Sequence, residues 1–160
     1  MEAAAIVDVE LEERYWYPDD GEIVWLAGYQ PVGADGRFLG RAAPELAAAG
    51  LRIAAVAGAA QHHAAALASE VVEPGRGLEL RRDAANPHDP NAIAVHVPGG
   101  EQLGWVPREV AAELAPELDR GRPLSAVVLR EQRASPRDPR TGVTMLLAAA
   151  PAIELRVRGA

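Results

Sequence analysis

Residues 92–106 leave the backbone little choice. Ile93, Val95 and Val97 recur at every second position, Pro98-Gly99-Gly100 supplies a tight turn, and the run QLGWV follows. Side chains alternate between the two faces of a strand, so the pattern predicts a hairpin with Ile93, Val95 and Val97 on one face and His96 on the other. Residues 3–11 and 22–29 are further apolar runs, bounded by Pro18-Asp19-Asp20-Gly21 and Ala34-Asp35-Gly36, which is hairpin punctuation. Residues 44–49 predict a short helix with Pro44 near its start and Gly50 at its end. Residues 51–58 (LRIAAVAG) read as a buried strand and residues 62–72 as a helix closed by Pro74-Gly75. Leu78 and Leu80 alternate with Glu79 and Arg81 in a half-buried strand.

Pro107 fits the first position of a helix whose stripe is Val110, Leu114 and Leu118, and Pro116 is expected to kink or divide that helix before Gly121 stops it. Residues 123–132 predict another strand. An Arg-, Asp- and Pro-rich loop, residues 133–141, then leads to a last strand over residues 143–148. The order β-α-β-β-α-β-β predicts a mostly β, α+β fold, a curved sheet or OB-like, partly open barrel of about six strands with two helices. Leu80, Ile93, Val95, Leu103, Val128 and Leu146 are its expected core.

Charge divides the chain. Residues 1–50 carry three arginines against ten acidic residues, whereas residues 51–160 carry thirteen of each, so the net charge of −7 belongs to the first segment. Tyr15, Trp16, Tyr17, Trp25, Tyr29 and Phe38 also lie in that segment, leaving Trp105 alone in the second. Residues 1–50 therefore read as an acidic, aromatic extension of strands, expected to pack on the barrel edge or on a second subunit because Trp25 and Leu26 would otherwise invite association. Residues 51–160 read as the main domain. No cysteine is present, which excludes a disulfide framework and a thiolate metal site. The start lacks a basic signal-peptide region and the longest apolar stretch, residues 145–150, is too short to span a bilayer, so the expectation is a cytoplasmic protein with no membrane partner.

The loop NPHDPNAIAV, residues 86–95, concentrates polar side chains between two strands. Asn86 and Asp89 suit ordinary turn chemistry, each capping nearby backbone with its own oxygen, but a rigidly displayed loop is also where binding residues collect. Asn91 reads as structural. Arg108, in the first turn of a helix, is poorly placed for the helix dipole and favours an external anion or solvent. Trp105 reads first as core and second as a stacking platform. His62 and His63 diverge by about 100° on a helix and read as polar residues of a helix start. A metal-dependent hydrolase built from His62, His88, Asp89 and His96 matches no ligand spacing, and no cofactor is expected.

Four pieces in order carry a family resemblance. Val56-Ala57-Gly58 ends a strand, residues 78–83 read LELRRD, residues 86–95 follow the pattern N-P-x-D-x-N-A-I-x-V, and residues 99–108 follow G-x-x-G-x-v-P/K-R/K. Over residues from about 51 to 148 the chain resembles the HIRAN domain family. That resemblance implies a modified OB-type barrel and a nucleic-acid-binding module, which in the best understood eukaryotic members binds the 3′ end of single-stranded DNA. It places Asn86 and Asp89 at the loop asparagine and hydroxyl-binding aspartate, Arg108 at the hairpin cation, and His88 at a stacking aromatic. Ala60 and Gln61 stand where the family has an Arg-Tyr pair, with His62 and His63 following, and Val143 stands near an aromatic of the last strand. Stacking is therefore impoverished.

The expected function is binding of single-stranded DNA or RNA, at a 3′ end, in DNA repair or replication-fork processing, through Asn86, His88, Asp89, Trp105, Arg108, Gln61 and His62. No Walker motif occurs, so the protein reads as no enzyme itself, and a helicase or nuclease would be another chain. The alternative is a protein-interaction module without DNA binding, whose N-terminal strands pair with another chain or with a second copy in a homo-oligomer.

Overall fold

A computed structural model describes residues 3–18 and 21–159. The N-terminal hairpin forms as its punctuation predicts, from β1 (Ala5–Trp16) and β2 (Val24–Pro31), with Trp16 opposite Val24 at its tip. Asp19 and Asp20 of the expected turn lie outside the described residues. Helix α1 (Pro44–Ala48) follows, then β3 (Leu51–Ala55), α2 (Ala59–His62), α3 (Ala64–Ala68), a 3-10 turn over Glu70–Val72 and β4 (Gly77–Arg82). The predicted second hairpin is β5 (Ile93–His96) and β6 (Gln102–Trp105), and α4 (Arg108–Asp119), β7 (Ser125–Arg133), β8 (Arg140–Ala148) and β9 (Ile153–Val157) complete the chain.

The fold is mostly β, a curved mixed sheet that is not closed into a barrel. Strand β7 is its trunk. One side of β7 pairs with β8 along its length, while the other pairs first with β4, at Leu78 opposite Ala126, and then with β2, at Gly28 opposite Arg130. From this fork one limb continues through β5 to β6, another through β8 to β3, and the third through β2 and β1 to β9. The first two limbs curl toward each other until Ala57, just past β3, exchanges both backbone hydrogen bonds with Trp105 of β6, at 2.8 and 2.9 Å. That single bridge is a seam rather than a ladder. Gly104 makes it feasible, because a Cβ there would fall inside van der Waals contact with the Ala57 carbonyl and Val56.

Alternation along the trunk fills two cores. Val128, Met145, Ile93, Val95, Leu103 and Leu67 meet inside the curl, with Leu80, Val110, Leu114 and Leu118 packed partly buried against them. Val127, Leu129 and Leu146 face the other way, onto Val7, Val9, Leu46 and Ile53. Burial on both faces explains why AVVL and MLLA are continuous apolar runs rather than alternating ones. It also corrects the place of Leu146, which belongs to the second core and not to the curl.

Three elements depart from the sequence reading. The expected helix over residues 62–72 begins earlier and is broken at His63 (φ −137°) and Ser69 (ψ 143°). In an unbroken helix Val72 would point about 140° away from Leu67, at 100° per residue, and the breaks return both to the same core. Buried Arg140 donates to the carbonyls of Leu67 and Ser69 at 3.1 and 2.9 Å, taking up the freed end. Helix α4 runs undivided through Pro116, because Pro116 and Ala112, whose carbonyl loses its partner, both lie exposed to water. Finally, residues 143–148 are not the last strand: β9 pairs with β1 in parallel, from Ala5 opposite Ile153 to Val9 opposite Val157.

The residues before position 50 are thus hydrogen-bonded into the sheet through β2. Trp25 and Leu26 are partly buried there, and the exposed large apolar side chains described in this segment are instead Ile6, Leu11, Tyr15, Trp16, Tyr17, Ile23 and Phe38. No helix among the described residues is long and apolar enough to cross a membrane.

Candidate nucleic-acid interface

The loop between β4 and β5 is tied from within by the two residues that turn chemistry singles out. Asn86 Oδ1 accepts hydrogen bonds from the backbone N–H of His88 (2.9 Å) and Asp89 (3.1 Å), and its amide nitrogen donates to Asp83 at 3.2 Å. Asp89 Oδ1 accepts from the N–H of Asn91 at 2.9 Å. Asx turns of this kind set the backbone without a ladder. Oδ2 of Asp89 makes no hydrogen bond to the described residues.

Two cations clamp the loop from outside. Arg82 of β4 donates to the carbonyls of Ala92 (2.8 Å) and Pro90 (3.0 Å) and forks onto Asp119 of α4 at 2.9 and 3.1 Å. The hydrogen bond from Arg82 holds the Asp119 carboxyl below its ordinary range. Arg108, at the start of α4, donates to the His88 carbonyl at 3.2 Å and is otherwise exposed. Nothing in the local sequence marks Arg82 as an anchor, since its partners come from a helix 37 residues away and from the loop itself.

These elements enclose a pocket of about 310 Å³ whose wall includes Asn86, His88, Asp89, Trp105 and Arg108, with Ala57 beside them. Five of the seven candidate residues therefore converge. Trp105 is a correction to the first reading of it as core: it is only partly buried and faces the pocket. The cause is a β-bulge. Val95 lies opposite Gly104 but His96 lies opposite Gln102, so Leu103 is an extra residue, and Trp105 no longer shares the inward face of Leu103.

His62 stands at the rim. Its ring and that of Trp105 each come within 3.6 Å of where a Cβ on Gly58 would sit, and Gly58 itself holds φ +75°, a left-handed turn that favours glycine. Gln61 is not in the first pocket. It lines a neighbouring groove of about 270 Å³ on the far side of the Ala57–Gly58 turn, with Gln132, Thr141, Thr144 and Arg41. The sequence reading missed Arg41, which comes from the extension. His96 turns to the Gly100 carbonyl at 3.1 Å, and among the described residues no three His, Asp or Glu side chains are grouped as a metal would need.

The family model of the HIRAN domain matches residues 53–147, from β3 to β8. The chain belongs to the HIRAN domain family. Membership points to a nucleic-acid-binding module in DNA processing. Among solved structures, the HIRAN domain of human HLTF is 27% identical, with a TM-score of 0.46 over 62% of this chain and 76% of that one. A protein from Lactobacillus plantarum is 21% identical, with a TM-score of 0.44 over 60% of this chain and 91% of that one. No curated protein sequence matches the chain. The matched HIRAN segment contains every residue of the first pocket, whereas β1, β2, α1 and β9 lie outside it.

Proposed function

We propose that this HIRAN domain binds the 3′ end of single-stranded DNA and catalyses no reaction itself, delivering the end to a separate helicase or nuclease chain in repair or fork processing. The observation that carries this reading is that an acceptor-only carboxylate, a cation and an indole edge one pocket. Asp89 has one oxygen engaged in the turn and one left over. An ionised carboxylate accepts but cannot donate, so it suits a free 3′ hydroxyl and repels a 3′ phosphate. Arg108, on the same pocket wall, supplies a positive charge suited to the adjoining phosphate. Trp105 offers a face to the terminal base, worth roughly 1–3 kcal/mol per stacked base, and restores part of the stacking lost where His88 and Gln61 replace family aromatics.

A hydrogen bond to a charged group contributes about 1.5–3 kcal/mol, so a strand ending in a 3′ hydroxyl is expected to bind about ten- to a hundredfold more tightly than the same strand ending in a 3′ phosphate. Fluorescence anisotropy with the two oligonucleotides tests this, and equal affinities refute the end-binding reading. A ribose version of the same strand reads out DNA against RNA.

One observation favours a second activity alongside the first. Beyond Val9, the edge of β1 opposite β2 pairs with no strand among the described residues, and it carries exposed Leu11 and Tyr15. Such an edge fits strand pairing with a second copy of the chain. Sedimentation of the protein alone, across concentrations, tests that.

A further inference from the structure

The groove on the far side of the Ala57–Gly58 turn has a use that the end pocket does not supply. Its cation is Arg41, which is exposed and, among the described residues, makes no hydrogen bond or ion pair. The facing walls are polar: the side-chain amides of Gln61 and Gln132 and the hydroxyl of Thr144 likewise make no hydrogen bonds to described residues.

The surroundings of Arg41 are positive in a chain whose net charge is −7. Glu12 is divided between two arginines, with Oε1 on Arg14 at 2.7 Å and Oε2 on Arg130 at 3.2 Å. Burial holds Arg130 below the ordinary guanidinium range; Glu12 opposes that, and the like charges of Arg41 and Arg14 reinforce it. Both oxygens of Glu12 are thus taken by Arg14 and Arg130, and Arg41 beside them is left without a carboxylate. An unpaired guanidinium beside free amide and hydroxyl donors is suited to an oxyanion, and a planar fork matches a phosphate in two directions at once.

Position selects which phosphate. Ala57 borders the end pocket and Gly58 borders the Arg41 groove, and consecutive Cα atoms lie about 3.8 Å apart. A strand whose last nucleotide fills the first pocket has only to cross this turn to reach the second. We infer that Arg41, with Gln61, Gln132 and Thr144, seats an internucleotide phosphate upstream of the bound 3′ end. The cation is donated by the extension, outside the HIRAN segment of residues 53–147. This inference rests on the single-strand reading above and adds to it a contact that the family-matched segment does not contain.

The test titrates wild type, Arg41→Ala, Arg41→Gln and Arg41→Lys with a labelled tetrathymidylate ending in a 3′ hydroxyl, over a range of salt, with thermal melting to confirm that each variant is folded. Each phosphate contact on a single strand contributes about 0.7 to the log–log salt slope, so Arg41→Ala and Arg41→Gln should flatten the slope by about 0.7 and weaken binding by about three- to tenfold at low salt. Arg41→Lys should fall between. A second strand set carries one uncharged methylphosphonate, placed at each linkage in turn. At one linkage it should weaken binding to wild type and leave binding to Arg41→Ala unchanged. The preference for a 3′ hydroxyl over a 3′ phosphate should survive in every Arg41 variant. If Arg41→Ala binds with wild-type affinity and slope while that preference persists, the phosphate seat is refuted and the end pocket stands. If wild type loses affinity on removal of Arg41 yet ignores the 3′ group, the end pocket is refuted and the phosphate seat stands. Absence of any binding by wild type overturns both.

Discussion

Asp89 divides its two oxygens between architecture and recognition, and the division can be separated by substitution. Asp89→Asn keeps an acceptor for the Asn91 N–H and removes the charge, so melting should be unchanged while the preference for a 3′ hydroxyl over a 3′ phosphate flattens. Asp89→Ala removes both and should also cost about 1 kcal/mol, a fall of about 2–4 °C in a chain of this size. Asn86→Ala, which loses two accepted backbone bonds, should lower the melting temperature by about twice as much. Trp105→Ala should weaken strand binding by about tenfold with a smaller effect on melting than a core substitution, because the ring faces the pocket. At this scale the sequence is informative where chemistry is local. Asn86 and Asp89 bond residues two or three positions away, and their spacing announces it. The outward turn of Trp105 depends on a bulge whose only trace is a register against β5, and no pattern within QLGW reveals it.

Elements carry the next set of consequences. Strand β9 covers the edge of β1 only from Ala5 to Val9, so truncation after residue 150 should uncover Val7 and Val9, lower the melting temperature and increase association, all measurable by calorimetry and sedimentation. Placing a charge on the remaining free edge, as in Leu11→Lys, should instead shift any dimer toward monomer. The clamp from Arg82 to Asp119 has a pH signature. Because the carboxyl is held below its ordinary value of 3.8, its contribution is complete above that pH and is lost as the pH falls through the lower folded value. The melting difference between wild type and Asp119→Asn should therefore be present at neutral pH and disappear in strong acid. Hairpins and the short helix α1 were legible because turn residues and alternation lie side by side in the chain. Strand β9 has the same alternation, in Ile153, Leu155 and Val157, but its parallel partner begins at Ala5, and no turn links the two. The broken helix after Gly58 was misread because its alanine-rich sequence favours a continuous helix, whereas core packing calls for two corners.

For the whole molecule, the opposition between an acidic chain and a basic groove sets the character of binding. Contacts from Arg108 and Arg41, with at most one more, predict a shallow log–log salt slope of about −1.5 to −2, read from anisotropy at several ionic strengths. A slope near −5 would require cations that neither pocket provides. The curved sheet was foreseeable from the order of its elements, but the fork at β7 was not, since pairing with both β4 and β2 depends on how two limbs share one strand edge. The seam between Ala57 and Trp105 has a mechanical meaning. Two hydrogen bonds hold the limbs of the curl together at the floor of the end pocket, with no ladder on either side to share the load. Such a join should breathe more readily than the trunk, and its two amides should exchange deuterium sooner than those of β7 and β8. A strand lying across the Ala57–Gly58 turn would act as a latch on that join, so capture of a DNA end should register as slowed deuterium uptake at those two amides.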